Sequence, residues 1–347
     1  MRKAVSFFIT GMILLSLLGG CSSKASEQQN QGGERVSDQE TKASEQQPYC
    51  YRVGVSNLAD SDESCYTACK TMADIVASQQ FTDAVGNKVE VEWVDSDNSI
   101  DKQTTNIELL LTKGIDAMFI IGVDTAGNAA SVKACNEAGV PVFMVATESS
   151  EGDYKFVGFN EYDCGYAQGK YIADHAGEGE NICYIEGTAG REATILRGQG
   201  FEEALAGRSD LTILSRQSGD WTTEGAMQIT EDWIQAYGDD IDWIATQDNK
   251  MAQGAIEVLK AADMTDRIKV NGWIVAGTWD VELMTSGYEE YAVYVSFQVL
   301  GEKMAEVCQQ FYTDGYESCE EKSYMDIYDI TMDNVSEFFD VNTSSAS

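Results

Sequence analysis

The sequence of 347 residues contains a single histidine, His175. One imidazole excludes a site with several histidine ligands, and it leaves little room for a Ser-His-Asp or Cys-His catalytic arrangement. His175 stands in residues 174–177, where a helix is expected to end, and a cation near a helix C-terminus interacts favourably with the helix dipole. The sequence shows no activated nucleophile and no metal-ligand set. It therefore predicts neither catalytic residues nor a cofactor, and it argues against an enzyme.

Basic residues are scarce. The chain has 23 Lys and Arg residues against 58 Asp and Glu residues, and its formal net charge is −35. A charge of this sign and size repels nucleic-acid phosphates and anionic lipid headgroups. Nucleic acid is therefore excluded as a partner.

Zinc or redox spacing of the CxxC type is absent among the nine cysteines. Cys183 stands in an apolar strand, and Cys65 and Cys69 are spaced as on one face of a helix. Export would permit disulfides, but cysteines scattered through core elements are expected to be buried free thiols. Cys308 and Cys319 are the pair to test first for a bridge.

No apolar run is long enough to cross the roughly 30 Å of a bilayer core. Arg2 and Lys3 precede a short apolar stretch, residues 7–18, and Gly19-Gly20-Cys21 follows it. This order predicts an export signal over residues 1–20. The ending Leu18-Gly19-Gly20-Cys21 resembles the lipobox of bacterial lipoproteins, which implies that Cys21 is lipidated and that only lipid attaches the chain to the membrane. The polar residues up to 49 are predicted to form a flexible tether.

From residue 51 onwards, short apolar runs alternate with helix-length amphipathic stretches. The predicted strands are residues 51–56, 89–94, 117–121, 141–145, 181–186, 211–215, 243–246, 268–273 and 291–296. The predicted helices lie near residues 64–80, 101–113, 126–138, 162–176, 191–206, 223–237, 249–262, 279–286 and 298–314. Strands that are apolar on both faces, such as residues 118–121, indicate parallel sheets covered by helices on both sides. The sequence therefore predicts a doubly wound α/β fold.

Ligands of such folds bind beyond the carboxyl ends of the strands, and the chain is polar and aromatic at these points. Asp60, Thr147, Trp221 and Asp248 follow strands, and Trp273 ends one. Each has a structural alternative: Asp248 is a good helix N-cap, and Trp221 fits a core. Several such groups on one rim nevertheless predict a small-molecule cleft.

The order of several motifs resembles the type I periplasmic binding proteins, the ribose- and galactose-binding family. The segments that carry the resemblance are DSDN at 95–98, ACNEAGVPV at 134–142, GTAG at 187–190, RGQGF at 197–201, QDNKMAQGA at 247–255 and ITMDNV at 330–335. The resemblance implies two doubly wound α/β lobes with parallel sheets, joined by a three-stranded hinge near residues 159–161, 295–297 and 322–325. The implied lobes are residues 50–160 with 296–323 and residues 161–295 with 324–341, followed by a tail at 342–347.

The resemblance also implies a ligand site. By position, it implies that Arg197 binds a sugar through its guanidinium group, that Asp248 is a polar contact, and that Trp221 and Trp273 are aromatic walls. In the first loop it implies polar contacts from Ser56 and Asp60, with Tyr66 as a substitute aromatic residue. Thr147 is the implied contact of the fourth loop. The chain departs from the family where Ala146-Thr147 replaces Asp-Arg, where Ile274 replaces a carboxylate, and where Val295 replaces glutamine. A less hydroxylated sugar, a polyol, a furanone and an amine-bearing solute therefore stay open beside ribose and galactose.

The function that the resemblance implies is that of a monomeric, extracytoplasmic substrate-binding protein of an ABC importer, with membrane permease subunits as its partners. In this family, closure of the hinge over one solute presents a docking surface to the permease. The alternative is a sensory module that hands its closed form to a membrane receptor or kinase.

Overall fold

The computed structural model describes residues 50–275 and 279–341 of the chain. The predicted export signal, Cys21, the tether and the tail at 342–347 lie outside the described residues. The strands are β1 (Tyr51–Asn57), β2 (Val89–Asp95), β3 (Ala117–Ile121), β4 (Val142–Val145), β5 (Lys155–Gly158), β6 (Asn181–Glu186), β7 (Thr212–Ser218), β8 (Trp243–Thr246), β9 (Lys269–Ile274), β10 (Tyr291–Tyr294), β11 (Lys322–Tyr324) and β12 (Tyr328–Ile330). The helices are α1 (Glu63–Val76), α2 (Gln79–Val85), α3 (Ile100–Thr112), α4 (Thr125–Glu137), α5 (Glu161–His175), α6 (Glu192–Leu205), α7 (Thr223–Tyr237), α8 (Asn249–Ala261), α9 (Trp279–Thr285), α10 (Phe297–Asp314) and α11 (Val335–Phe338).

The strands form two six-stranded sheets. The first has the order β11-β5-β4-β3-β1-β2, and all of its neighbouring strands are parallel. The second has the order β12-β10-β9-β8-β6-β7, in which only β12 pairs in the antiparallel sense. Each order reverses direction within the sheet, as it does in doubly wound folds. The predicted fold class, two α/β lobes with parallel sheets, is confirmed.

The continuous apolar strands are explained by burial on both faces. In β3, Phe119 and Ile121 pack into a core that includes residues of α1 and α10, whereas Met118 and Ile120 pack against α3 and α4. In β6, Cys183 and Ile185 pack against α7 and α8, whereas Ile182 and Tyr184 pack against α6 on the opposite face. Since successive side chains of a strand point to opposite faces, a strand covered on both sides must be apolar throughout.

The chain passes between the two sheets three times: after β5, after β10 and between β11 and β12. The first two passages lie at residues 159–160 and 295–296. The third lies at residues 325–327, because Tyr324 still pairs with Gly158 in the first sheet. Tyr324 therefore belongs to the first sheet, although the sequence assigned it to the second lobe. Below, each lobe means one sheet with the helices packed on it.

Sequence patterns missed the shortest elements. The strands β5, β11 and β12 have only three or four residues, and β11 and β12 lack an apolar run. The helix predicted near 64–80 is two helices, α1 and α2. The break occurs because Ser78 caps α2, and its side chain accepts a hydrogen bond of 3.1 Å from the Phe81 amide.

The eight cysteines of the described residues are unpaired thiols, and all except Cys50 are buried. Cys308 and Cys319 form no bridge. His175 is the last residue of α5, where the sequence predicts a helix end, and its ring stacks on Tyr171 with 4.0 Å between the centroids. Within residues 50–275 and 279–341, no helix has the length and apolarity needed to cross a bilayer.

Candidate functional site

A cleft lies between the two lobes, at the carboxyl ends of strands from both sheets. It encloses roughly 840 Å³ of empty space, including the part that is open to solvent. The first lobe contributes residues that end β3, follow β1 or β4, or lie at the start of α1: Leu58, Asp62, Cys65, Ile121, Ala146 and Thr147. The second lobe contributes residues in or next to the first two turns of α5, α6 and α8, in the turn between β7 and α7, and near the end of β9: Glu161, Arg191, Arg197, Trp221, Asp248 and Trp273.

Five of the eight predicted ligand contacts line this cleft together. They are Arg197, Asp248, Trp221, Trp273 and Thr147. They are distant in sequence and converge because parallel strands direct their carboxyl ends, and the loops that follow, to the same edge of a sheet.

The other three predicted contacts lie away from the cleft. Ser56 is fully buried in β1, with its Oγ atom 3.2 Å from Ser96 Oγ. Asp60 accepts hydrogen bonds from Asn57 Nδ2 at 2.8 Å and from Trp93 Nε1 at 3.1 Å. Tyr66 is exposed, and its ring packs 5.4 Å from that of Trp93. The proposed site omits all three, because partners on or beside β2 engage them.

Arg197 is the centre of the site. Its side chain is buried, and its Nε atom donates a hydrogen bond of 2.7 Å to Glu161 Oε2. Its Nη1 atom donates to the main-chain oxygen of Gln247, and its guanidinium carbon lies 3.9 Å from the ring centroid of Trp273. The ion pair and the cation–π contact together hold the guanidinium in one orientation. Nη2 has no hydrogen-bond partner among the described residues, so this nitrogen is left for a ligand.

Glu161 is a site residue that the sequence did not reveal. It is the first residue of α5, after the N-cap Asn160, and it is buried. A buried carboxylate needs a partner, and Arg197 supplies it. An acidic residue in the first turn of a helix is usually explained by the helix dipole. That ordinary explanation conceals its role beside Arg197.

Asp248 is both a helix cap and a cleft residue. Its Oδ1 atom accepts a hydrogen bond of 2.7 Å from the Met251 amide at the start of α8. Its other oxygen has no hydrogen-bond partner among the described residues. Desolvation by burial raises the pKa of Asp248 to about 6, against the opposing effects of the Met251 amide and two nearby cations. The carboxylate is therefore mostly ionised at pH 7 and can bind hydroxyl or ammonium groups.

Two tryptophans enclose the guanidinium. Trp273 is the penultimate residue of β9 and is almost completely buried, whereas the ring of Trp221 lies 5.5 Å from the guanidinium carbon of Arg197. Asp220 and Trp221 both adopt positive φ angles, 54° and 60°, which L-residues rarely do. The turn directs the indole over Gly187, where a Cβ atom would lie 1.9 Å from the ring. Strained backbone of this kind is often found where a side chain must be aimed at a ligand.

Charged residues that the sequence did not single out surround the outer part of the cleft. Asp62, Arg191 and Lys250 line both the cleft and an adjoining outer cavity. Neither Arg191 nor Lys250 forms a side-chain hydrogen bond or ion pair within residues 50–275 and 279–341. All three stand at helix N-termini, at the ends of α1, α6 and α8. Their position at predicted helix N-termini could have identified them from the sequence, because these helix ends border the cleft in a doubly wound fold.

A hydrogen bond crosses the cleft at one end. The Glu148 amide of the first lobe donates to Glu192 Oε2 of the second lobe, at 2.8 Å. Glu148 is itself held by Lys322 and by the hydroxyl of Tyr154. Burial raises the pKa of Glu192. The two lobes are therefore in direct polar contact beside the cleft.

In the part of the chain that the structure describes, no three His, Cys, Asp or Glu side chains are grouped so that they could hold a metal ion. The polar groups of the cleft include carboxylates, guanidinium groups, an ammonium group, a carboxamide, hydroxyls, a thiol and the indole N–H groups of Trp221 and Trp273. These groups suit reversible recognition of an organic solute.

Comparisons with known proteins agree with this geometry. A family described as the periplasmic binding protein domain matches residues 72–315. The xylitol-binding protein of Mycolicibacterium smegmatis is 26% identical over 185 residues, which is 53% of each chain. A ribose import binding protein of Bacillus subtilis is 29% identical over 170 residues, which is 49% of this chain and 55% of the relative. The matched segments thus span about half the length of these relatives.

Solved structures share the fold. The crystal structure of a galactofuranose-binding protein superimposes with a TM-score of 0.71 at 22% identity, covering 83% of this chain and 96% of the other. The family match extends over most of the chain and includes strands of both sheets. The chain therefore belongs to the type I periplasmic binding protein family.

Proposed function

We propose that this chain is the extracytoplasmic substrate-binding protein of an ABC importer, which captures a sugar or a related small polar solute by closing the two lobes over it. The carrying observation is the cleft itself, where Arg197, Asp248, Trp221 and Trp273 meet between lobes joined by three crossovers. The protein binds its solute without altering it and is not an enzyme.

The chemistry of the cleft suits such a solute. Sugar and polyol hydroxyls both donate and accept hydrogen bonds, so a guanidinium nitrogen and a carboxylate oxygen can bind adjacent hydroxyls. The C–H face of a ring packs on indole rings. The names of the relatives, which refer to xylitol and to ribose import, support the same class of solute.

The first test is a thermal-shift panel of aldoses, deoxysugars, cyclic and linear polyols and an amino sugar, each added to the purified chain. A ligand that binds only the folded state stabilises it by about 2.7 kcal/mol when the ligand concentration is one hundred times the dissociation constant, and this stabilisation raises the melting temperature. We expect one chemical class to give such a shift. A larger shift with the amino sugar would indicate that Asp248 pairs with an ammonium group. The absence of a shift across the whole panel would overturn the proposed sugar ligand.

The proposed location is the outer face of the cell membrane, where lipid on Cys21 would keep the protein near its permease. Replacing Cys21 with alanine is expected to move the protein from the membrane fraction to the soluble fraction, because Cys21 is the residue that is proposed to carry the lipid. Immunoblots of fractionated cells measure this directly. Replacing Ser22 with alanine is the matched control, and retention of the Cys21→Ala protein in the membrane fraction would contradict lipidation.

A further inference from the structure

The two ends of the cleft differ in chemistry. At the end near the crossovers, the cleft is lined by side chains without polar atoms, here called the inner apolar wall: Ile121, Ala146, Val275, Val295 and Phe297. Ile121 and Val295 line the cleft and are each only 1% exposed, so they belong to the packed core beneath it. Two segments of the first lobe, one segment of the second lobe and both sides of the second crossover contribute to this wall.

The polar groups lie at the other end or are already engaged. Asp62, Arg191 and Lys250 line both the cleft and the outer cavity, so they mark its outer end. The buried Arg197–Glu161 pair satisfies most of its own hydrogen bonds, which leaves Nη2 of Arg197 for the solute. Glu192 and Asn249 also line the cleft, but they are engaged by the Glu148 amide and by Asp280. The inner apolar wall therefore offers a bound molecule few side-chain hydrogen-bond partners besides the Thr147 hydroxyl beside Ala146.

This arrangement discriminates between solutes that differ by one hydroxyl. A hydroxyl placed against the inner apolar wall would lose its hydrogen bonds to water and gain none from the protein. A methyl or methylene group in the same place would instead be removed from water at no such cost. A solute that is hydroxylated on every side should therefore bind less tightly than one that has an apolar edge.

We propose that the ligand is a deoxygenated sugar or polyol, with a methyl or methylene edge against the inner apolar wall and its hydroxyls towards Arg197, Asp248 and the outer charged residues. This inference rests on the proposed function and narrows its class of substrate. It uses no group outside the cleft already described.

The test compares matched pairs that differ by one oxygen atom. The probes are D-fucose with D-galactose, L-fucose with L-galactose, L-rhamnose with L-mannose, and 2-deoxy-D-ribose with D-ribose, each titrated calorimetrically into the purified chain. In the pair that binds best, the deoxy sugar is expected to bind roughly tenfold more tightly. A parent sugar that binds as tightly as its deoxy partner would overturn this inference alone. No binding by any probe would overturn both the inference and the sugar assignment.

A variant pair tests whether the wall causes the preference. Val295→Thr keeps the shape of the side chain but adds a hydroxyl to the wall, and it is expected to reduce the ratio of the two dissociation constants by about threefold or more. Val299→Thr makes the same change at an exposed position on α10 and should leave the ratio unchanged. Because the ratio is measured on one protein sample, a loss of folded protein cancels. An unchanged ratio for Val295→Thr would contradict the proposed role of the wall.

Discussion

Replacing Arg197 with alanine is expected to weaken binding of the panel's best ligand roughly tenfold or more, since a charge-assisted hydrogen bond is lost. The same change is expected to lower the free energy of unfolding by about 3–5 kcal/mol, because Glu161 would remain as a buried charge without its partner. Calorimetric titration measures the first effect and urea unfolding the second. Unchanged affinity would remove Arg197 from the site.

Two further variants separate the causes. Arg216→Ala removes an arginine of the same lobe that is partly exposed and pairs with Glu186 and Glu202 outside the cleft, so it is expected to cost less stability than Arg197→Ala. The double variant Glu161→Ala/Arg197→Ala removes both buried charges and should recover part of the lost stability without recovering affinity. If the double variant is less stable than Arg197→Ala, the buried pair does not account for the instability.

Replacing Gly165 with alanine is expected to lower both stability and affinity, although Gly165 does not line the cleft. Gly165 stands one turn after Glu161 on α5, and a Cβ atom there would lie 2.0 Å from the main-chain oxygen of Arg197. The two helices can therefore approach closely only because position 165 has no side chain. The added methyl must push α6 away, at a cost of about 1–3 kcal/mol or more, and this movement carries Arg197 away from Glu161.

The matched control for this prediction is Gly207→Ala. A Cβ atom at Gly207 meets no other atom within 4 Å, so the same substitution there should change neither urea unfolding nor ligand affinity. If the Gly165→Ala variant binds the ligand as tightly as the unaltered chain does, close packing of α5 on α6 is not the feature that positions Arg197.

The fold followed from sequence periodicity wherever elements were long and regular. Strands such as β3 and β6 and helices such as α7 were predicted to within a few residues, because burial on both faces or on one stripe leaves a strong apolar pattern. The short strands β11 and β12 carry no such pattern. They become strands because a neighbouring strand of the sheet supplies their hydrogen bonds.

The lining of the cleft was predicted in part for a similar reason. Thr147, Trp221 and Asp248 line it as the sequence predicts, because position after a strand is a property of the chain itself. Asp60 was misplaced by the same rule, because the rule does not say which way a loop turns; here it turns towards Trp93 of β2.

The sequence by itself determined the α/β class and the rim on which polar and aromatic groups converge, because these depend on periodicity and chain order. Only the tertiary structure decided that Arg197 pairs with Glu161, 36 residues away, that Arg191 and Lys250 border the outer cleft, and that the inner end is apolar. The physical reason is that pairing and burial depend on which helices and strands meet in space. That is set by close packing of whole elements, such as α5 on α6 at Gly165, and no local pattern of residues records it.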